Sequence, residues 1–237
     1  MTAVDPATLE PLEPACAWRS GDLGEDYVVT LSAEHIAELD AALVHAEAAT
    51  ADVLDITRDL FPLPTLGPAL AGLTDELING RGVVLIRGLP IDGYTKDRAA
   101  TVYWGLGLHL GDPWPQNAKG HLLGDVTDQG RAVDDPTARG NEIGGVPFPF
   151  HSDGSDLVGL FCLDAGARGG ASLVANAVTI HNELVRTEPD LAAELYAPFP
   201  YDLRGEQPPG ARHWYEMPIF SRRRDRLFVR YIRPYIA

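Results

Sequence analysis

Lysine is nearly absent from this sequence of 237 residues, which contains only Lys96 and Lys119. Acidic residues outnumber basic ones by 34 to 19, and the formal net charge at pH 7 is -15. A surface of this charge disfavours nucleic acid and anionic membranes as partners, because both require a basic face. The one basic cluster, Arg222 to Arg224 with Arg226, is typical of a solvated turn between two strands.

Cysteine and long apolar runs are scarce as well. Cys16 and Cys162 are too few and too far apart to form a disulfide framework or a zinc site. Cys162 lies in the apolar run Leu157 to Leu163, where we expect a small buried hydrophobic residue. No run approaches the length that spans a membrane, and the acidic, proline-rich start is unlike a secretory signal. The sequence therefore predicts a soluble, cytoplasmic protein.

Helical patterns precede strand patterns along the chain. Helices are predicted where apolar residues recur at helical spacing, which occurs from Ser32 to Thr50, Pro68 to Ile78, Thr95 to Leu108, Thr179 to Arg186 and Pro189 to Tyr196. Short strands are predicted at Tyr27 to Leu31, Val83 to Leu89, Leu122 to Val126, Leu157 to Leu163, Ala171 to Asn176, Met217 to Ser221 and Leu227 to Tyr231. This order indicates an α+β fold in which a β-sandwich or barrel carries the site.

The most informative stretch runs from Pro147 to Gly154 and contains His151 and Asp153. It is predicted to be a strand edge, and in a strand residues i and i+2 point to the same face. His151 and Asp153 therefore offer an imidazole nitrogen and a carboxylate oxygen to one point in space. They supply two of the three ligands in the facial triad of two histidines and one carboxylate that holds non-haem Fe(II).

A histidine two residues before a carboxylate has little specificity by itself, and the sequence holds a second such pair at His181-Asn182-Glu183. The apolar residues around that pair indicate a helix, on which side chains at i and i+2 diverge. We interpret the second pair as part of a helix surface and not as metal ligands.

Several segments carry a family resemblance when they are taken together and in order. They are Arg81 to Leu89, Gly105 to Gly111, Pro115 to Gly120, His151 to Gly154, Gly169 to Ser172 and Val229 to Arg233. With them the chain resembles the taurine dioxygenase and clavaminate synthase-like family from about Trp18 to Tyr235. The resemblance implies a double-stranded β-helix (jelly-roll, cupin-like) core with N-terminal and flanking helices. It also implies one oxygenase domain over residues 1–237, with a helical part to about residue 80 and a β-helix core from about residue 81.

The resemblance further implies the cofactors Fe(II), 2-oxoglutarate and O2 and assigns residues to them. His151 and Asp153 match the first histidine and the carboxylate that bind iron in the family. Ser172 follows a glycine pair where the family commonly has a threonine that contacts 2-oxoglutarate. A strand serine that hydrogen-bonds to the backbone is the alternative for Ser172.

Four more residues are candidates for binding the substrate. Gln116 and Asn117 fall in a loop that borders the active site in relatives, although a turn asparagine is an equally good interpretation of Asn117. Arg230 and Arg233 fall near a strand whose end faces the substrate in this family. At least one of them could bind a substrate carboxylate in a bidentate manner, and a structural salt bridge is the alternative.

The sequence departs from the family pattern after Asp153. The family's second histidine ligand and the arginine that binds the 2-oxoglutarate carboxylate lie near the C-terminus of a longer chain, whereas here only His181 and His213 follow. His213 precedes a predicted strand and does not match the late strand that the family uses. We therefore expect both missing residues beyond residue 237, and a naturally short relative without the iron site is the alternative.

The reaction implied by the resemblance is hydroxylation or desaturation of a small molecule, with release of succinate and CO2. Asp153 occupies the position that halogenating relatives leave to chloride, so halogenation is not expected. By analogy with relatives, the substrate is expected to be an amino-acid-derived or other natural product. Two other hypotheses stay open: a β-helix protein that binds a small molecule without turnover, and a non-oxidative metal-dependent cupin-like enzyme.

Overall fold

The computed structural model of this chain describes residues 5–12, 17–117, 119–132, 142–145, 147–224 and 226–236, so Cys16 lies outside the described residues. The backbone groups into two compact units. The first unit comprises Met1–Ala17, Pro115–Gly154 and Leu173–Ala237, and the second unit comprises Trp18–Trp114 and Ser155–Ser172.

Three helices form most of the second unit: α1 (Ala33–Ala49), α2 (Leu66–Asn79) and α3 (Lys96–Leu110). Each of them confirms a predicted helix. The hydroxyl of Ser32 accepts a hydrogen bond from the His35 backbone N–H, and the Ser32 N–H donates to the His35 ring. Helix α1 therefore begins with a capping box in which an imidazole replaces the usual Glu or Gln. Thr95 caps α3 through its hydroxyl, as its position before the apolar pattern predicts.

Helix α2 begins earlier than Pro68, where the sequence predicted its start. The carboxylate of Glu38, on α1, accepts hydrogen bonds from the backbone N–H groups of Thr65 (2.7 Å) and Leu66 (3.2 Å). These are among the N–H groups that have no partner within a helix. The cap comes from a residue distant in sequence, so the local pattern could not reveal it.

The core of the second unit lies among these helices and the segment before α2. Its fully buried side chains are Leu39, Leu43, Phe61, Leu70 and Val102. The indole N–H of Trp104 donates to the Ile56 carbonyl at 2.9 Å, which satisfies the only polar atom of a buried aromatic side chain.

A short parallel sheet joins β1 (Val28–Thr30) to β2 (Leu85–Arg87) in the second unit. Both strands were predicted, although β2 is shorter than the predicted span of Val83 to Leu89. The prediction that this strand is strongly buried is wrong, because Leu85 is exposed. A strand is buried on both faces only when other elements cover it, and the apolar run alone does not supply them.

The first unit contains two helices and two antiparallel strand pairs. Its elements are α4 (Ala177–Thr187), α5 (Pro189–Glu194), β3 (Pro198–Asp202), β4 (Trp214–Pro218), β5 (Phe220–Arg223) and β6 (Arg226–Val229). Strand β3 pairs with β4, and β5 pairs with β6. The β5–β6 pair and its arginine-rich turn confirm the predicted hairpin.

Strand β3 was not predicted, because Pro198 and Pro200 argue against a central strand. A proline cannot donate to the ladder, but it is tolerated where a strand has a neighbour on one side only. Among the described residues, β3 pairs along its length with β4 alone. The strand is anchored by Tyr201, which is fully buried and stacks on Tyr215.

Three predicted strands are wrong, at Leu122 to Val126, Leu157 to Leu163 and Ala171 to Asn176, and so is the strand edge predicted at Pro147 to Gly154. Residues 147–176 are described without a gap, and they contain neither the strand predicted at Leu157 to Leu163 nor the one predicted at Ala171 to Asn176. Leu160 is 74% exposed, Leu173 is 75% exposed, and Cys162 is exposed where a buried residue was expected. An apolar run becomes a buried strand only when other strands pair with it. The described residues form mixed helix and strand with three two-stranded sheets.

In the part of the chain that the structure describes, every helix is too short or too polar to traverse a bilayer.

The packing of α3 yields a stability prediction at Gly105. A Cβ atom at Gly105 would overlap the ring of Phe61, which is fully buried and has no room to move. We expect Gly105→Ala to lower the free energy of unfolding by about 1–3 kcal/mol, measured by urea denaturation.

Gly107 on the same helix is the matched control. It is exposed, and a Cβ atom there would meet nothing within 4 Å. We expect Gly107→Ala to stabilise the protein by about 0.5–1 kcal/mol through helix propensity. Equal effects of the two substitutions would contradict the packing of Phe61 against α3.

Candidate metal centre

The structure brings His151 and Asp153 together. His151 Nε2 lies 4.0 Å from Asp153 Oδ2, and the two side chains are 30% and 47% exposed. Both belong to the first unit, in a segment without helix or strand. The two donor groups therefore lie on one side of the segment and are accessible from solvent.

The orientation of the His151 ring is fixed on its other side. Nδ1 lies 2.9 Å from the Pro149 carbonyl, and the ring meets Phe148 edge to face with centroids 4.4 Å apart. A carbonyl oxygen only accepts, so Nδ1 carries a proton, and in the neutral ring the lone pair lies on Nε2, which faces Asp153. A lone pair and a carboxylate that face each other suit a cation between them. Metal-binding histidines are commonly held by such a backbone carbonyl.

Ser152 attaches this segment to the chain that follows β6. Its backbone N–H donates to the Tyr231 carbonyl at 2.8 Å, and its hydroxyl donates to the Val229 carbonyl at 2.9 Å. The Tyr231 N–H in turn donates to the Ser152 hydroxyl at 2.8 Å. The candidate ligands on either side of Ser152 are thus held against a defined part of the first unit.

Arg230 is the predicted substrate residue that the structure places beside the histidine–aspartate pair. Its Nη1 donates to the Ser152 carbonyl at 3.3 Å, and a Cβ atom at Gly154 would lie 3.2 Å from Nη1. The guanidinium group therefore covers Gly154, where any larger side chain would press against it. Tyr201 donates its hydroxyl hydrogen bond to the Arg230 carbonyl, which fixes the backbone at this point.

The other predicted site residues have local contacts. Asn117 Oδ1 accepts from the backbone N–H groups of Lys119 (3.0 Å) and His121 (3.4 Å), as in a turn, and Gln116 N–H donates to the His121 carbonyl. Arg233 is exposed and donates to the Ile236 carbonyl in the C-terminal turn. Ser172 lies in exposed coil of the second unit.

His181 does not lie on a helix surface, so that interpretation is wrong. It is fully buried in α4, its Nδ1 lies 3.2 Å from Asn182 Oδ1, and its Nε2 lies 2.8 Å from the Tyr196 hydroxyl. The ring also meets Phe220 edge to face. Both ring nitrogens are occupied, and Glu183 is exposed, so this second pair cannot act as metal ligands in this arrangement.

No group of three or more His, Cys, Asp or Glu side chains that could hold a metal ion occurs among the described residues. His213, the remaining histidine after Asp153, is exposed at the start of β4. The pair of His151 and Asp153 therefore stands as a two-ligand arrangement within the described part of the chain.

Comparison with known families places the chain in one of them. The family model described as "Taurine catabolism dioxygenase TauD, TfdA family" matches residues 47–235, which is most of the sequence and includes every candidate residue above. The chain belongs to this TauD/TfdA family. The predicted resemblance to this family is thereby confirmed.

Two curated relatives agree with the family. One is an FR-33289 synthase from Streptomyces rubellomurinus, which is 34% identical over 180 residues that cover 76% of this chain and 53% of the relative. The other is a taurine hydroxylase-like protein, SAT17, from Stachybotrys chartarum, which is 27% identical over 220 residues that cover 90% of this chain and 56% of the relative. The chain thus spans about half the length of the curated relatives it matches.

The donor pair fits the iron that the TauD/TfdA family implies. A neutral imidazole nitrogen and a carboxylate oxygen are ligand types of non-haem Fe(II). Two adjacent ligands at about 2.1 Å from one metal ion lie about 3 Å apart, against 4.0 Å between His151 Nε2 and Asp153 Oδ2. The observed separation therefore exceeds that of two ligands on one metal ion by about 1 Å, and the Asp153 side chain is 47% exposed.

The buried His181 predicts a pH dependence of stability. Burial lowers its pKa from 6.5, the nearby positive charge of Arg222 acts in the same direction, and the hydrogen bond to Asn182 opposes both. Below about pH 6.5 the unfolded chain therefore binds more protons than the folded protein. We expect the free energy of unfolding to decrease as the pH falls below about 6.5, measured from urea midpoints at a series of pH values.

His181→Gln should be less stable at neutral pH by about 1–3 kcal/mol, because it loses buried contacts, but its stability should change less as the pH falls. His213→Gln, at an exposed histidine, is the control and should keep the pH dependence of the wild type. An unchanged pH dependence in His181→Gln would contradict the assignment to His181.

Proposed function

We propose that this protein is an Fe(II)- and 2-oxoglutarate-dependent dioxygenase that hydroxylates or desaturates a small molecule and releases succinate and CO2. The observation that carries the proposal is the approach of His151 Nε2 and Asp153 Oδ2, in a chain that belongs to the TauD/TfdA family. In the same proposal the chain contributes to a cupin-like jelly-roll core, which is the fold of this family.

In this proposal His151 and Asp153 hold the iron, and Ser172 contacts 2-oxoglutarate through its hydroxyl. When bound, iron and 2-oxoglutarate supply the activation of O2 for attack on a C–H bond. The carbonyl of Pro149 keeps the lone pair of His151 Nε2 directed at the metal position. The third protein ligand and the arginine for 2-oxoglutarate are expected outside the described residues.

The decisive test is an anaerobic titration of the apoprotein with Fe(II) and then with 2-oxoglutarate. We expect a weak visible metal-to-ligand charge-transfer band in the wild type and none in His151→Ala or Asp153→Ala. Asp156→Ala and His213→Ala remove an exposed carboxylate and an exposed imidazole, and both should keep the band.

A wild-type protein without this band would overturn the proposal. Retained binding of small molecules would then favour a β-helix protein without turnover. Activity that depends on another divalent metal, but not on O2, would favour a non-oxidative cupin-like enzyme.

We further propose that the substrate carries an acidic group, which Arg230 binds. Its guanidinium lies beside Ser152 and Gly154, the residues on either side of Asp153, and an arginine fork matches the oxygens of a carboxylate or sulfonate. One relative is named for taurine, an aminosulfonate, and the other is a synthase. Gln116, Asn117 and Arg233 are proposed to contribute polar contacts to the substrate.

The Arg230 assignment predicts a specific kinetic defect. Small amino acids and aminosulfonates, beginning with taurine, are screened for substrate-dependent release of succinate, and the KM of the best acidic substrate is then measured. We expect Arg230→Gln to raise this KM by about tenfold or more, since a charge-assisted pair is lost. Arg212→Gln, at an exposed arginine over the Trp214 ring, should leave the KM unchanged. A normal KM in Arg230→Gln would contradict the role.

A further inference from the structure

Ser152 makes an unusual set of hydrogen bonds for a residue outside a strand. Its hydroxyl donates to the carbonyl of Val229, the last residue of β6, and its backbone N–H donates to the carbonyl of Tyr231, which follows β6. Its hydroxyl also accepts from the Tyr231 N–H. Both the donor and the acceptor capacity of the side chain are therefore used, and both partners are backbone groups.

These contacts determine which way the neighbouring side chains point. The 4.0 Å approach of His151 and Asp153 places those two side chains on one side of the segment. The hydrogen bonds of Ser152 place its hydroxyl against Val229 and Tyr231, on the other side. Attachment of the middle residue therefore directs the two flanking donor groups to a common point, as alternate residues do in an extended chain.

We propose that Ser152 is a positioning residue of the metal centre, whose hydroxyl holds His151 and Asp153 in the arrangement that binds the metal ion. This inference rests on the proposed function. The Arg230 guanidinium also helps to hold Ser152, because its Nη1 donates a hydrogen bond to the Ser152 carbonyl. An alanine at position 152 would keep the backbone hydrogen bond to the Tyr231 carbonyl, but it would leave the Tyr231 N–H and one acceptor position of the Val229 carbonyl without the hydroxyl. The segment would therefore be held less firmly. A threonine would keep the hydroxyl and its hydrogen bonds.

The experiment is an anaerobic titration of the apoprotein with Co(II), followed by its visible absorption. We expect Ser152→Ala to weaken Co(II) binding by at least about tenfold and Ser152→Thr to stay within about threefold of the wild type, because residues that orient metal ligands have effects of this size. Ser155→Ala is the matched control, because it removes a nearby serine hydroxyl that donates only to the Leu157 carbonyl. It should bind Co(II) like the wild type.

A second measurement separates positioning from a general loss of stability. Hydrogen exchange of the Tyr231 amide, followed by NMR, should be slow in the wild type and in Ser152→Thr, and faster in Ser152→Ala, because that amide donates to the Ser152 hydroxyl. A purely structural role would lower the urea midpoint of Ser152→Ala without changing the Co(II) affinity of the folded protein, and that result would overturn the inference.

The outcomes distinguish this inference from the proposed function. Equal Co(II) affinity in the wild type and Ser152→Ala would refute the role of Ser152 and leave the metal centre intact. Absence of Co(II) binding in the wild type would refute the metal centre itself, and the role of Ser152 with it. If Ser152→Ala does not fold, the Co(II) affinity of Ser152→Thr is the test. An affinity equal to that of the wild type supports the inference, and a tenfold weaker affinity in folded Ser152→Thr overturns it.

Discussion

The arrangement of the candidate site depends on the hydrogen bonds between Ser152 and the chain that follows β6. They join residues 77 and 79 positions apart in sequence, so forming them has a substantial cost in chain entropy. That cost is offset where the surrounding structure is well packed. Tyr201 is fully buried and donates a hydrogen bond to the Arg230 carbonyl. Strand β6 pairs with β5, and Phe220 of β5 packs against the ring of Tyr196. The positions of the two candidate ligands, His151 and Asp153, are thus set by buried residues of the first unit, although neither ligand is part of that core.

Three histidines show how the surroundings of a residue decide its chemistry. His109 is buried, accepts from Arg58 Nε at Nδ1 and therefore donates from Nε2 to the Phe61 carbonyl, so it serves the packing of the second unit. His181 is buried among aromatic rings with both nitrogens occupied. His151 is accessible and keeps one nitrogen free of backbone partners, directed at a carboxylate. Only the last arrangement suits a metal ion.

Two apolar stretches that follow Asp153 in sequence lie within the family match. Residues 157–163 and 171–176 are rich in apolar side chains, yet Leu160 and Leu173 are largely exposed. The family match extends through both stretches, to residue 235. An apolar stretch of this kind is buried only when elements distant in sequence pack against it, so its burial is a property of the whole fold and not of the stretch alone.

The sequence by itself determined the features that depend on short-range physics. Helices α1 and α3 were located by their capping residues, Ser32 and Thr95, and by the helical spacing that follows each of them. The turn residues located the β5–β6 hairpin. The spacing of His151 and Asp153 identified the donor pair because alternation along an extended chain is local. The order of several motifs then identified the family, which the comparison confirmed.

Only the tertiary structure decided the features that depend on distant partners. The cap of α2 comes from Glu38, the burial of His181 depends on Phe220, and the segment of His151 is held by Val229 and Tyr231. A residue's own sequence neighbourhood carries no signal for such contacts. They arise because hydrogen bonds and buried surface must be satisfied by whichever groups the folded chain brings together.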